Sequence, residues 1–301
     1  MKKTRKFPFK GLVARWRQWS LQERILLTVS SVIFLFYAAS LIYPFVWALI
    51  NSGKTLSEFY DNQFSLPKNW GGQNYIHVFE LQVRKTSLVG MIGNSLWVTI
   101  IATGVGIISS ICTAYACSKY RFRGSKIFYS IAIFIQVIPL VGNMPATYKL
   151  AADLGMVDNP ALIWLMWGGG FGFAFITLYS YFQSVSWGYA EAAFIDGANH
   201  LQVLLRIMLP QALPAIVSIA IINFIGTWND YMTPYLYLPS YPTLSVGLYL
   251  IETEAQVSNS SVKGAPLYFS AILLSMIPII VIYCCFQKVI MQNTVAGGLK
   301  G

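Results

Sequence analysis

Ile25-Leu26-Leu27-Thr28-Val29-Ser30-Ser31-Val32-Ile33-Phe34-Leu35 is nearly unbroken apolar sequence. A strand of a membrane barrel would alternate lipid-facing and lumen-facing residues over about 10 positions, so this run reads as helix. Crossing the hydrocarbon takes roughly 20 apolar residues, and the run continues through Tyr43-Pro44-Phe45-Val46-Trp47 to Ile50. That length also argues against a cleaved signal peptide, whose apolar region covers roughly 7 to 15 residues, although Ala38-Ala39-Ser40 imitates a cleavage site. The same window places spans at 25–50, 91–117, 125–148, 159–183, 211–237 and 265–290. The expectation is an all-α integral membrane protein with six transmembrane helices: an N-terminal segment 1–24, a membrane domain 25–290 and a tail 291–301.

Composition agrees. The 301 residues are 56% hydrophobic and 11% charged, with a mean hydropathy of +0.57, which excludes disorder and a soluble enzyme on a single anchor. Lys and Arg number 21 against 11 Asp and Glu, a net charge of +10. In a soluble chain this would suggest nucleic acid; here the placement of the charges matters more than their sum. With residues 1–24 inside, 15 Lys/Arg fall on the cytoplasmic side and 6 outside. The positive-inside rule therefore predicts both termini in the cytoplasm, with membrane lipid and not nucleic acid as the surrounding partner. Cys112, Cys117, Cys284 and Cys285 lie in predicted helices without C-x-x-C spacing and read as small buried hydrophobes.

Three helix faces are patterned. Ala102, Gly106, Ser110 and Ala114 repeat every four residues, a small-residue ridge suited to close packing, within the chain sooner than against another subunit. Gln136, Asn143 and Thr147 stack on one side of the third helix, with Pro139 loosening it. In the fifth, Asn223, Gly226, Thr227, Asp230 and Pro234 share one side of the helical wheel. Polar groups are costly in lipid, so both faces should meet protein or a water-filled path.

The segment 184–210, between the fourth and fifth helices, is too ordered for a tether. Tyr189-Ala190-Glu191-Ala192-Ala193-Phe194-Ile195-Asp196-Gly197-Ala198-Asn199-His200 favours a helix that ends at Gly197, with Asn199 capping a second helix running toward Ile207-Met208-Leu209-Pro210. Ala192 and Ala193 are small enough for a partner to sit close, and Glu191 offers one charge to a basic partner.

The spacing E-A-A, three residues, G, nine residues, I-x-L-P resembles the signature of permease subunits of bacterial ABC importers. Glu191, Ala192, Ala193, Gly197, Ile207, Leu209 and Pro210 meet it without a gap. From about Asn74 to Gly301 the chain is similar to the carbohydrate-uptake, MalG-like type. The likeness includes Gly93-Asn94-Ser95-Leu96, Ala114-Tyr115-Ala116, Arg121-Phe122-Arg123-Gly124, Leu154-Gly155-Met156, Trp228-Asn229-Asp230 and the tail Val295 to Gly301. Two departures stand out: Ser186-Trp187 where a proline is usual before the motif, and Asn293 where the tail commonly has glycine.

The resemblance implies the type I ABC importer permease fold in a bacterial cytoplasmic (inner) membrane. It implies a heterodimer with a second permease, two ATP-binding cassette ATPase subunits carrying ATP and Mg, and an extracytoplasmic solute-binding protein delivering sugar. This chain itself would hold no cofactor and no metal. By the same resemblance the helix pair around Asp196 and Gly197 is the coupling element docking in the ATPase, with Glu191 facing an arginine there. Gly297, Gly298 and Lys300 would reach the ATPase from the tail. Sugar-path candidates are Gln136, Asn143, Asn223, Trp228 and Asp230, since sugars are gripped by hydrogen bonds and ring stacking. The polar outer loop 240–264 is a candidate contact for the binding protein or a solvated connector.

Catalysis finds little support. No Walker A, G-x-S-x-G or H-E-x-x-H occurs, and the two histidines, His77 and His200, are predicted on opposite sides of the membrane. A permease for a non-sugar solute is the nearest alternative. A secondary transporter would want charges in several helices, and Asp230 is the lone candidate.

Overall fold

The computed structural model describes residues 20–120, 122–138, 142–257 and 264–298. Helix α1 (Leu21–Ser52) opens with a capping box in which Ser20 Oγ accepts from Glu23 N and the Glu23 carboxylate accepts from Ser20 N. Two short helices follow, α2 (Leu56–Asp61) and α3 (Gln73–Glu80), then a hairpin of β1 (Gln82–Val83) and β2 (Thr86–Ser87) that leads into α4 (Leu88–Lys119). At the end of α1, Asn74 Nδ2 donates to the carbonyls of Ser52 (2.7 Å) and Lys54 (2.8 Å). Lys54, counted from sequence as an outer charge, is 1% exposed. Its Nζ donates to the Asn62 carbonyl at 3.0 Å, and burial pushes its ammonium below the usual lysine range.

Among the described residues four helices are long and apolar enough to cross a bilayer: Leu21–Ser52, Leu88–Lys119, His200–Asn229 and Ala265–Cys285. The first and last predicted spans are thus single helices, the last lying in α13 (Ala265–Gly298), which runs on into what the sequence suggested as tail. The third and fourth predicted spans are not. The third divides into α5 (Ser125–Val137) and α6 (Met144–Asp153). Ile138, at φ −83° and ψ 118°, is extended, as expected of a residue preceding a proline, here Pro139. The fourth divides into a 3₁₀ segment (Ile163–Gly168) and α7 (Phe173–Ser184), separated by Gly169, Gly170 and Gly172.

The fifth span starts earlier than predicted and also breaks. A continuous helical run from His200 reaches Asn229 through α9 (His200–Val203), a π turn (Leu204–Met208) and α10 (Leu209–Asn229). Asp230 then turns extended before α11 (Met232–Tyr237). Pro234 has no N–H for the carbonyl four residues back and its ring would collide with it. That carbonyl belongs to Asp230, and Ser245 Oγ serves it instead at 2.9 Å. The stretch 240–264, read as a polar loop that either contacts the binding protein or serves as a solvated connector, contains helix α12 (Leu244–Val257), with Leu244, Val246 and Gly247 buried against the core.

The core centres on α4, which packs against α7, α10 and the 3₁₀ segment. Its small-residue ridge serves this packing: Ala114 is fully buried, and a Cβ on Gly106 would stand 3.5 Å from the Trp167 carbonyl oxygen. Ser109 Oγ and Thr113 Oγ1 donate to the carbonyls of Gly168 (2.8 Å) and Gly170 (2.9 Å), satisfying backbone that the broken helix leaves unpaired. Gly170 is required for this approach, since a Cβ there would lie 2.9 Å from Thr113 Cγ2, 3.0 Å from its Oγ1 and 3.1 Å from Ser109 Oγ. Gly170→Ala is therefore expected to destabilise the fold by roughly 1–3 kcal/mol. Gly169→Ala, where no atom lies within 4 Å of the added Cβ, should be close to neutral; thermal unfolding of the two in detergent is the check. Of the cysteines only Cys117 is buried, whereas Cys112, Cys284 and Cys285 are exposed on outer helix faces. The expectation of four buried thiols fails because a lipid-facing surface is as apolar as a core.

Candidate coupling element and polar groove

Helix α8 (Gly188–Ile195) stops in a Schellman turn. Gly197 N donates to the Phe194 carbonyl (3.1 Å) and Ala198 N to the Ala193 carbonyl (2.9 Å), with Gly197 at φ +86°. Asn199 then forms a capping box with Gln202, two 2.9 Å bonds in opposite directions, and starts α9. The following π turn has a sequence cause. Pro210 cannot donate to Arg206, so the helix widens until Leu209 N reaches the Leu204 carbonyl five residues back.

This knuckle has two unlike faces. Ala190, Ala193, Val203 and Met208 are buried, and Ile207 and Leu209 pack against the same cluster as Phe175, Leu178 and Phe182 of α7. Of the two small residues foreseen for a partner, Ala193 therefore serves the chain's own packing and only Ala192 is outward. Glu191, Ala192, Asp196 and Pro210 are exposed. Beside them stands a residue the sequence reading passed over: Ile195, 86% exposed, is the most exposed large hydrophobic described. Its signal was present, an isoleucine directly before the helix-ending Asp196-Gly197, where no inward packing position remains.

An aromatic clamp fixes the inner face. Tyr120, just past α4, meets Tyr115 (5.6 Å between ring centroids), Trp187 (6.1 Å) and His200 (5.6 Å). Phe194 closes the ring against His200 (4.9 Å) and Trp187 (6.0 Å). The hydroxyl of Tyr120 lies 2.9 Å from His200 Nδ1, and Lys119 Nζ donates to the Val185 carbonyl at 2.5 Å. Trp187, at the position where a proline was expected, is part of this clamp.

At the other end of α10 the helix breaks converge on a groove. One cavity, of about 480 Å³, lies between Ala102, Thr103 and Gly106 of α4, the Gly169–Gly172 break and Asn223, Gly226 and Thr227 of α10. A second, of about 340 Å³, is lined by Asn143, Met144, Thr147 and α11. Trp167, Thr227 and Asp230 border both. Asn143, Asn223 and Asp230 are thus brought together as the sequence suggested. Gln136 stands at the edge, its Nε2 3.8 Å from where a Gly172 Cβ would be. Trp228 is displaced from the set: it is 4% exposed, stacked on Phe224 (6.1 Å) and packed in a separate cluster with Met91, Leu244 and Leu267. At 100° per residue, position 228 points away from the face that carries 223, 227 and 230. Trp167, which the sequence reading did not select, supplies the aromatic wall. Gly297 and Gly298 close α13, while Lys300 lies outside the described residues. No group of three or more His, Cys, Asp or Glu comes together among the described residues.

Several helices able to cross a bilayer, a locked helical knuckle and a polar groove at helix breaks define a membrane transport component. Residues 102–295 match the family of binding-protein-dependent transport system inner membrane components, and the chain belongs to that family. It is accordingly a multi-pass membrane subunit of a transport system and not an enzyme. It is similar to the diacetylchitobiose uptake system permease protein NgcG of Streptomyces coelicolor, 27% identical with 92% of this chain and 90% of that one covered. It is also similar to the galactooligosaccharides transport system permease protein GanQ of Bacillus subtilis, 29% identical over 93% of this chain and 98% of that one. Among solved structures it resembles a chain of a bacterial ABC transporter involved in the import of the acidic polysaccharide alginate. There the TM-score is 0.75 and identity 27%, with 90% of this chain and 98% of that one covered.

Proposed function

We propose that this chain is the permease subunit of an ABC importer that takes up a sugar or oligosaccharide. It crosses the membrane six times with both termini in the cytoplasm, and pairs with a second permease that closes the other side of the groove. Two ATPase subunits binding ATP and Mg engage the knuckle and the tail residues Gly297, Gly298 and Lys300, and an extracytoplasmic binding protein delivers the solute. The relatives named for diacetylchitobiose and galactooligosaccharide transport support the solute class.

The observation that carries the reading is the knuckle, exposed at Glu191 and Ile195 and clamped behind. A ligand moves a conformational equilibrium only through differential affinity for its states, so nucleotide-driven closure needs a stiff connection to the path. The run His200–Asn229 provides it: 30 residues, about 45 Å of helix, with the knuckle at one end and Asn223 and Thr227 at the other. Tyr181 Oη donates to the Gln211 carbonyl at 2.6 Å and ties α7 to the same lever. A photo-cross-linking amino acid at position 195, in the complex assembled with its co-encoded partners, is expected to capture an ATPase subunit. Capture of an extracytoplasmic protein, or of lipid alone during turnover, would refute the assignment.

A further inference from the structure

We infer that the groove bordered by Trp167, Asn223, Thr227 and Asp230 is a saccharide subsite belonging to this subunit, and that it accepts uncharged sugars and rejects acidic ones. The inference rests on the sugar-importer reading above and adds where this chain touches the solute and what charge it tolerates.

Unused hydrogen-bonding capacity comes first. Thr103 Oγ1 is buried without a partner. The Asn223 amide, the Thr227 hydroxyl and the Trp167 indole N–H have none among the described residues, although neighbouring side chains of the same types do: Asn229, Thr113 and Trp164 each donate to a backbone carbonyl. Polar groups at membrane depth are retained in this condition where a solute or water takes the missing bonds. The backbone agrees. Irregular chain in a bilayer is tolerated where it is buried in protein or lines a cavity, and the breaks at Gly169–Gly172 and at Asp230 both open on this groove. Volume agrees too, since about 480 Å³ and 340 Å³ fall in the usual range for small-molecule sites.

The lining selects a ligand chemistry. Trp167 offers an aromatic wall to the C–H face of a sugar ring, while amide, hydroxyl and indole groups offer both donors and acceptors to its hydroxyls. Among the described residues of this chain that line the two cavities, Asp230 is the one carboxyl side chain, and no Lys, Arg or His accompanies it. One Asp230 oxygen accepts from Thr233 N at 3.1 Å; the second has no partner among the described residues. A carboxylate so placed accepts sugar hydroxyls and repels a uronate, by about 100-fold at a separation near 6 Å in a partly desolvated site.

The test uses the whole complex with its co-encoded partners in detergent, without binding protein, and reads saccharide contact by saturation-transfer NMR. The probes are maltotriose and cellotriose, each beside a form oxidised to a terminal glucuronate. The wild type should bind at least one neutral probe saturably and its acidic counterpart about 100-fold more weakly. Asp230→Asn, which keeps the oxygen that accepts from Thr233 N, should narrow that ratio below tenfold, and Asn223→Ala should weaken the neutral probe. Equal binding of acidic and neutral probes by the wild type, or an unchanged ratio in Asp230→Asn, overturns the inference. So does failure of the wild type to bind either neutral probe while proteoliposomes with binding protein take one up. The sugar-importer reading falls separately, if proteoliposomes that hydrolyse ATP on addition of binding protein accumulate no saccharide at all.

Discussion

Gly197→Pro is expected to leave the assembled complex in the membrane and to abolish both sugar uptake and stimulated ATP hydrolysis. Gly197 sits at φ +86° and its N–H closes the Schellman turn on the Phe194 carbonyl. Proline fixes φ near −65° and removes that N–H, at a local cost of about 3 kcal/mol or more. The α8–α9 turn would reopen, and the exposed edge of Glu191 and Ile195 would lose its angle to the His200–Asn229 lever. Gly197→Ala separates shape from bulk, because no atom lies within 4 Å of the added Cβ. It carries only the left-handed strain of roughly 1–2 kcal/mol, so it should keep most uptake. Parallel assays in vesicles decide the matter; normal transport by the proline variant would detach the turn from coupling.

The second large effect concerns the contact itself. Ile195 is 86% exposed, a wide apolar side chain that water covers unless a partner does. Ile195→Asp should weaken docking by at least about 2 kcal/mol, the scale of an interface hot spot, or some 30-fold in ATPase affinity. Glu191→Lys should likewise abolish uptake and stimulated hydrolysis, by turning an attraction for a basic partner into repulsion. Neither substitution should alter thermal stability, since both side chains face outward. Wild-type ATPase affinity with intact uptake in either variant would move the docking surface elsewhere. A drop in stability instead would mean that the knuckle's outer face belongs to the fold.

Both predictions lean on features legible in the residues. Gly197 and Asn199 announce a turn and a cap by backbone chemistry alone, and these are the elements found. Three prolines mark local outcomes: Pro139, Pro210 and Pro234 go with a break, a π turn and a second break, because proline brings no N–H to the helix ladder, whereas Pro44, Pro214 and Pro278 lie within α1, α10 and α13 without interrupting them. The sequence marked the loosening at Pro139 without extending it to a full interruption, and ran the fifth span through Asp230 to 237.

By itself the sequence determined the helical membrane class, the knuckle and its turn, and the polar residues Asn143, Asn223 and Asp230 that meet at the groove. Only the tertiary structure decided that Trp228 packs inward while Trp167 borders the groove, that Ala193 serves the chain's own core, that Ile195 stands free, and that the stretch after Ser240 folds back as a helix. The reason is the solvent. In water an apolar stripe marks the buried face of a helix, but in a bilayer lipid-facing and core-facing positions are both apolar. The orientation of each helix about its axis is then set by packing, through contacts such as Gly106 on the Trp167 backbone and Thr113 on Gly170.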